Sequence, residues 1–161
     1  MAMDGHKVET GRNRLNGGQP RQRARDRHDG DENKRGSKKL RILIVEDHSS
    51  LCEMLSLYFT RLGYEVRTAN DGESALAVLD REPIHLMLLD LMLPRLDGFT
   101  VLKQMRGNAT HKPPYVIVVS AAASERDRNK VLSLGANEYL PKPFHLARLV
   151  ERVHHVEKHL L

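Results

Sequence analysis

Ile84-His85-Leu86-Met87-Leu88-Leu89-Asp90 is the stretch that decides the fold. The run is too short for an ordinary helix and almost wholly apolar, so it reads as a strand buried on both faces. It stops on a carboxylate. Three further runs behave the same way. Leu40-Arg41-Ile42-Leu43-Ile44-Val45 stops at Glu46-Asp47, Tyr115-Val116-Ile117-Val118-Val119 stops at Ser120, and Asn137-Glu138-Tyr139-Leu140 stops just short of Lys142. Polar residues set just past four separate strands gather at one edge of a parallel sheet, where open α/β folds bind ligands.

Helical patterns separate the strands. Ser49 stands where a helix starts, Leu51, Leu55, Phe59 and Leu62 follow at helical spacing, and Gly63 is the stop. Tyr64-Glu65-Val66-Arg67-Thr68 reads as a short strand with alternating faces. Asp71-Gly72-Glu73 opens a second helix that ends before Pro83. Further helices are predicted at about Phe99 to Arg106, from Ser124 or Glu125 to Leu134, and from Phe144 nearly to Leu161. Five βα units predict an α/β domain over residues 39–161, a parallel sheet covered by helices on both faces.

The amino-terminal part differs. Residues 1–38 are nearly free of branched apolar residues, so they are expected to form a disordered basic tail. Residues 1–39 hold eleven Lys or Arg against six Asp or Glu, whereas residues 40–161 hold fifteen of each sign. The net charge of +5 therefore belongs to the tail. Arg21-Gln22-Arg23-Ala24-Arg25-Asp26-Arg27 reads first as a solvated tether and second as an arm for nucleic acid or an acidic partner. Cys52 is the only cysteine, which excludes an intrachain disulfide and a thiolate metal cluster. No apolar run reaches the roughly 18 residues of a membrane span, and no signal-peptide core precedes the domain. A cytoplasmic protein without membrane insertion is expected.

The strand-end residues suit phosphoryl chemistry. Glu46, Asp47 and Asp90 repel one another unless a cation sits among them, and Mg²⁺ takes hard oxygen ligands while keeping exchangeable waters. A carboxylate beside such a cation can act as a nucleophile toward phosphorus. Lys142 supplies a further positive charge, and the Ser120 hydroxyl can donate to a phosphoryl oxygen.

The segments Val45-Glu46-Asp47, Leu88-Leu89-Asp90-Leu91-Met92-Leu93-Pro94-Arg95-Leu96-Asp97-Gly98, Val119-Ser120-Ala121 and Gly135-Ala136-Asn137-Glu138-Tyr139-Leu140-Pro141-Lys142-Pro143-Phe144 resemble the response-regulator receiver domain of two-component signalling. The likeness covers residues 40 to about 156. It implies a flavodoxin-like (βα)5 sandwich with strand order 2-1-3-4-5. It also implies that Asp90 accepts a phosphoryl group from a sensor histidine kinase or histidine phosphotransfer protein. Glu46, Asp47, Asp90 and the backbone carbonyl of Met92 would hold Mg²⁺, Glu46 through water. Lys142 would pair with the phosphoryl group, and Lys142-Pro143 resembles the family's cis peptide. Ser120 and Tyr139 stand at the family's switch positions. Such a chain is a phosphoacceptor rather than an enzyme, with self-phosphorylation and slow autodephosphorylation at most.

Some positions depart from the commonest pattern. Glu46 replaces the more frequent aspartate. Met92 and Ala122 stand where the family tunes acyl-phosphate hydrolysis, and neither readily orients a water, so a long-lived phosphorylated state is expected. Met92 also lacks the second carboxylate of a haloacid-dehalogenase-like phosphatase, which removes that reading. His48, beside the acidic pair, reads first as a plain loop or helix-capping residue and second as a contact for a partner kinase. His154, His155 and His159 are assigned no metal.

No effector domain is legible beyond the last helix. The leading expectation is a signalling module that binds a downstream protein through the fourth helix, fifth strand and fifth helix. The alternative is a DNA-binding transcriptional response regulator, truncated or using its arginine-rich tail. Arg148 occupies the place where the family's dimers through this face commonly carry an acidic residue, which argues against such a dimer.

Overall fold

The computed structural model describes residues 39–107, 112–122 and 124–161. The expected tail, residues 1–38, lies outside the described residues. Ten elements alternate along the chain: β1 (Arg41–Val45), α1 (Ser49–Arg61), β2 (Glu65–Ala69), α2 (Gly72–Arg81), β3 (Leu86–Leu89), α3 (Gly98–Gly107), β4 (Tyr115–Ser120), α4 (Glu125–Ser133), β5 (Glu138–Pro141) and α5 (Leu146–Leu160). The strands form one sheet in the order β2-β1-β3-β4-β5, and every neighbouring pair is parallel. This is the flavodoxin-like order that the sequence resemblance implies.

The apolar runs are explained by burial on two faces. Side chains alternate across a strand. Leu43, Val45, Met87, Leu89, Val116 and Val118 therefore join one core with Ala75 of α2, Val101, Leu102 and Met105 of α3 and Val131 of α4. Ile42, Ile44, Leu86, Leu88, Ile117 and Val119 join the other, with Leu55 and Phe59 of α1 and Leu149, Val153 and Val156 of α5. The central strands cannot show alternating polarity, because both of their faces are covered. Edge strand β2 is largely exposed, which is why its sequence alternates.

Local signals set the helix ends. His48 caps α1 by accepting from Leu51 N–H at 3.3 Å, Asp71 caps α2 through Ser74 N–H at 2.7 Å, and Ser124 caps α4 through Asp127 N–H at 3.0 Å. Gly63 and Gly135 close α1 and α4 at φ 95° and 98°. The last helix starts later than expected, at Leu146 rather than Phe144. Phe144 is half-buried against the α1 and α5 core, and His145 is extended (ψ 128°), so the first helical turn waits for Leu146.

Two tyrosines brace the α5 side. Tyr115 donates to Glu138 Oε1 at 2.8 Å, and Glu138 also accepts from Arg152 at 2.5 and 2.7 Å, joining β4, β5 and α5. Tyr64 donates to Glu157 Oε2 at 2.8 Å. Burial, with the hydrogen bond to Glu138, pushes the Tyr115 phenol up to about 12. Burial, with Glu157, raises Tyr64 further. An unfolded tyrosine loses its proton near pH ~10, so above that value the unfolded chain binds fewer protons than the folded one and stability falls. Denaturation midpoints measured from pH 8 to 12 are expected to decline from about pH 10 upward. The Tyr64→Phe/Tyr115→Phe chain should show a shallower decline. Equal slopes would remove these phenols from the alkaline transition.

Candidate functional site

The carboxyl ends of β1, β3, β4 and β5 form one rim, and chain geometry turns their terminal residues toward it. Glu46 directly follows β1; its N–H donates to the Ala69 carbonyl at 3.0 Å, which continues the ladder and keeps Glu46 buried at 4 % exposure. Asp90 directly follows β3, its N–H donates to the Val45 carbonyl at 3.0 Å, and it is 5 % exposed. Asp47 is exposed. One oxygen from each of Glu46, Asp47 and Asp90 lies within 4.8 Å of the others. Among the described residues this is the one such cluster of three metal-ligating side chains.

Lys142, directly past β5, reaches the same point. Its N–H donates to the Ser120 carbonyl at 2.9 Å, and the peptide to Pro143 is cis. The Lys142 ammonium donates to Glu46 Oε2 at 2.6 Å and to Asp90 Oδ2 at 2.7 Å. Burial opposes its charge, but the hydrogen bonds and charges of Asp90 and Glu46 prevail and hold its pKa above the usual lysine value. The other oxygen of Asp90, Oδ1, accepts from Met92 N–H at 3.0 Å, and Glu46 Oε1 accepts from His48 N–H at 3.0 Å. Each buried carboxylate is therefore held at both oxygens. Lys142 was expected as a phosphoryl partner; its bridge to Glu46, 96 positions away, was not anticipated.

Ser120 ends β4 and is fully buried, and its Oγ accepts from Ala122 N–H at 3.3 Å. Tyr139 is half-buried on β5, and its hydroxyl donates to the carbonyls of Ala122 and, at 3.3 Å, Ser120. The two residues read as a switch are thus joined through the β4–α4 loop. Burial first, then the charges of Asp127 and Asp90, raises the Tyr139 pKa. Cys52, on α1 beside the rim, has its thiol pushed up by burial and by the Glu46 charge, which suppresses the reactive thiolate.

The donor set fits a hard divalent cation. Three carboxylates face one ammonium, all the side-chain ligands are oxygen, and Asp47 leaves the cluster open to solvent. Sequence reasoning missed Asp71 and Arg95. Asp71 is 1 % exposed and ion-paired with Arg95 in the β3–α3 loop. The Asp-Gly pair was legible as a helix start, but its partner 24 residues later carried no local signal.

Comparisons with known proteins agree with this geometry. The response regulator receiver domain family matches residues 42–154. The transcriptional regulatory protein CpxR of Klebsiella pneumoniae subsp. pneumoniae is 44% identical over 113 residues, covering 70% of this chain and 47% of that protein. Response regulator RR06 of Streptococcus pneumoniae serotype 2 is 41% identical over 114 residues, covering 71% and 51%. The chain thus spans about half the length of these relatives. Among solved structures, the receiver domain of the sensor histidine kinase PA1611 from Pseudomonas aeruginosa has a TM-score of 0.67 at 30% identity. That alignment covers 74% of this chain and 98% of that one, and a magnesium ion is coordinated in the active-site cleft of that protein. With the sheet order, the rim of carboxylates and the lysine opposite them, these matches establish that the chain belongs to the response-regulator receiver family.

Proposed function

We propose that residues 39–161 act as a phosphoacceptor switch, with residues 1–38 as an appended tail, and that Asp90 is the acceptor. The observation that carries this reading is the Lys142 ammonium held between Glu46 and Asp90 at 2.6 and 2.7 Å, with Asp47 in reach of both carboxylates. An Asp90 oxygen attacks the phosphorus of a phosphohistidine on a sensor kinase or phosphotransfer protein. The O–P bond forms as the N–P bond breaks, and the departing imidazole takes up a proton. Glu46, Asp47, Asp90 and the Met92 carbonyl would hold Mg²⁺, which would supply charge neutralisation at the phosphoryl oxygens. Lys142 moves from the carboxylates to the incoming phosphoryl group, and the Ser120 hydroxyl donates to it. Met92 and Ala122 leave hydrolysis slow.

The message leaves through α4, β5 and α5. Ser120 Oγ accepts from Ala122 N–H while the Tyr139 hydroxyl donates to the Ala122 and Ser120 carbonyls, so movement of the Ser120 hydroxyl releases the loop that Tyr139 bonds. The nearby surface carries Arg128, Leu132, Arg148 and Arg152, and a downstream protein docks there in this reading. Incubation with acetyl phosphate and Mg²⁺ tests the core claim: intact mass should rise by about 80 Da, one phosphoryl group.

A second reading is a transcriptional regulator, favoured by the CpxR relatives named for that activity. Gel shifts with nonspecific duplex, using the full chain and a chain lacking residues 1–38, separate the readings. The switch-module reading expects the same weak affinity from both chains. Loss of retardation on deletion would make the tail a nucleic-acid arm.

A further inference from the structure

We propose that Arg95 and Asp71 are the positioning pair of the site: their ion pair clamps the β3–α3 loop onto the start of α2 and so aims the Met92 carbonyl and the Asp90 carboxylate at the cation. The inference rests on the cation site proposed above. Four observations carry it. Arg95 is the one non-glycine residue with positive φ among the described residues, at 63°. That conformation costs any side chain with a Cβ, so something outside the turn has to hold it. Leu96 N–H donates to the Pro94 carbonyl at 2.7 Å, closing a three-residue turn around Arg95, the tightest and most strained kind. The Arg95 guanidinium reaches back to Asp71, which is almost fully buried although Arg95 itself is exposed.

The loop is also pinned from below, with no slack. A Cβ on Gly72, the first residue of α2, would collide with the Leu96 carbonyl and side chain. A Cβ on Gly98 would lie 2.5 Å from the Asp90 carbonyl oxygen and 2.7 Å from Leu91 Cα. Gly98 N–H donates to the Leu91 carbonyl at 3.1 Å, and Met92 N–H to Asp90 Oδ1 at 3.0 Å. The path from Arg95 to the acceptor is therefore short and tightly packed on both sides of Met92. Asp71 takes two tasks with its two oxygens: Oδ1 caps α2 through Ser74 N–H at 2.7 Å, and Oδ2 accepts from Arg95. The Ser74 backbone hydrogen bond first, with the Arg95 charge contributing, holds its carboxyl below the ordinary aspartate range, so it stays ionised at neutral pH.

Arg95→Gly separates stability from binding. Glycine accepts the positive φ without strain, which offsets the loss of a largely exposed cation opposite Asp71, whose Oδ1 keeps the Ser74 N–H bond, so the melting temperature of the metal-free full chain should stay within a few degrees of wild type. The Mg²⁺ dissociation constant from calorimetry should weaken by about tenfold, the low end of the range for loss of a residue that supports metal ligands. Labelling by acetyl phosphate should need correspondingly more Mg²⁺ for half-maximal rate and recover near the wild-type maximum at saturation. Asp71→Asn keeps a good helix cap and removes only the charge, and should weaken Mg²⁺ in the same way. Arg95→Lys should return affinity to within about twofold, because it restores the charge opposite Asp71. Unchanged Mg²⁺ affinity in Arg95→Gly and Asp71→Asn overturns the inference, as does a large fall in melting temperature in Arg95→Gly, which would make the pair merely structural. A wild-type chain that takes up no Mg²⁺ sinks the underlying site reading instead.

Discussion

Asp90→Asn should abolish covalent phosphorylation while leaving the fold intact. Asparagine matches aspartate in shape, so Oδ1 can still accept from Met92 N–H, and the loop after β3 keeps its anchor. The amide oxygen is a poor nucleophile toward phosphorus, and the anhydride that stores the phosphoryl group cannot form on it. With acetyl phosphate and Mg²⁺ the wild-type chain should gain about 80 Da and the variant should gain nothing. The added mass should also disappear on mild alkali or hydroxylamine treatment, as an acyl phosphate does and a phosphoserine does not. The metal-free variant should melt within a few degrees of wild type, because Lys142 keeps its bond to Glu46 and one fewer buried charge has to be balanced. Retention of the added mass in Asp90→Asn would place the acceptor elsewhere, with Asp47 the first residue to replace.

Most of this site was legible because each of its residues interrupts a buried run. A carboxylate or hydroxyl directly after four or five apolar residues is a strong local contrast, and in a parallel sheet such contrasts all fall on one rim. Glu46, Asp90 and Ser120 were found that way. The sheet order came from the resemblance, since periodicity alone predicts βα units and not which strands are neighbours. What escaped the sequence reading was pairing across distance. The Lys142 bridge to Glu46 spans 96 residues and the Arg95 bond to Asp71 spans 24, and no spacing rule reaches that far. The start of α5 was misjudged for a related reason. Phe144 has ordinary helical preferences, but the core beside α1 takes its ring and draws the backbone out of the first turn. His155 and His159, which were assigned no metal, place their ring centroids 4.2 Å apart along α5, with His159 Nδ1 2.7 Å from the His155 carbonyl.

Lys142→Met separates the two tasks of the lysine, because stability, cation affinity and phosphorylation move in different directions. Removing the ammonium strands the Glu46 and Asp90 carboxylates, which are 4 % and 5 % exposed, without a cationic partner. Breaking a buried pair in this way costs roughly 3–5 kcal/mol, and the partial exposure of the lysine lowers the expected loss to about 2 kcal/mol in metal-free solution. In the proposed site the same ammonium would compete with Mg²⁺ for the Glu46 and Asp90 carboxylates, so its removal should tighten Mg²⁺ binding by roughly threefold to tenfold, a modest coupling at an effective dielectric near ~20. Saturating Mg²⁺ stabilises the folded chain by RT ln(1 + [L]/Kd), so adding it should close most of the stability gap between variant and wild type. Phosphorylation should run the other way. With no cation to follow the phosphoryl group, labelling by acetyl phosphate should fall by about 100-fold even at saturating Mg²⁺, the scale of losing one charge-stabilising donor. The alkaline limb adds an internal control. A lysine whose pKa is raised in the folded state contributes its stability below the unfolded value of about 10.4 and loses it as pH climbs through the folded one. The metal-free gap between Lys142→Met and wild type should therefore narrow above pH ~10.4. A variant that binds Mg²⁺ more weakly than wild type would show that Lys142 organises the carboxylates rather than competing for them.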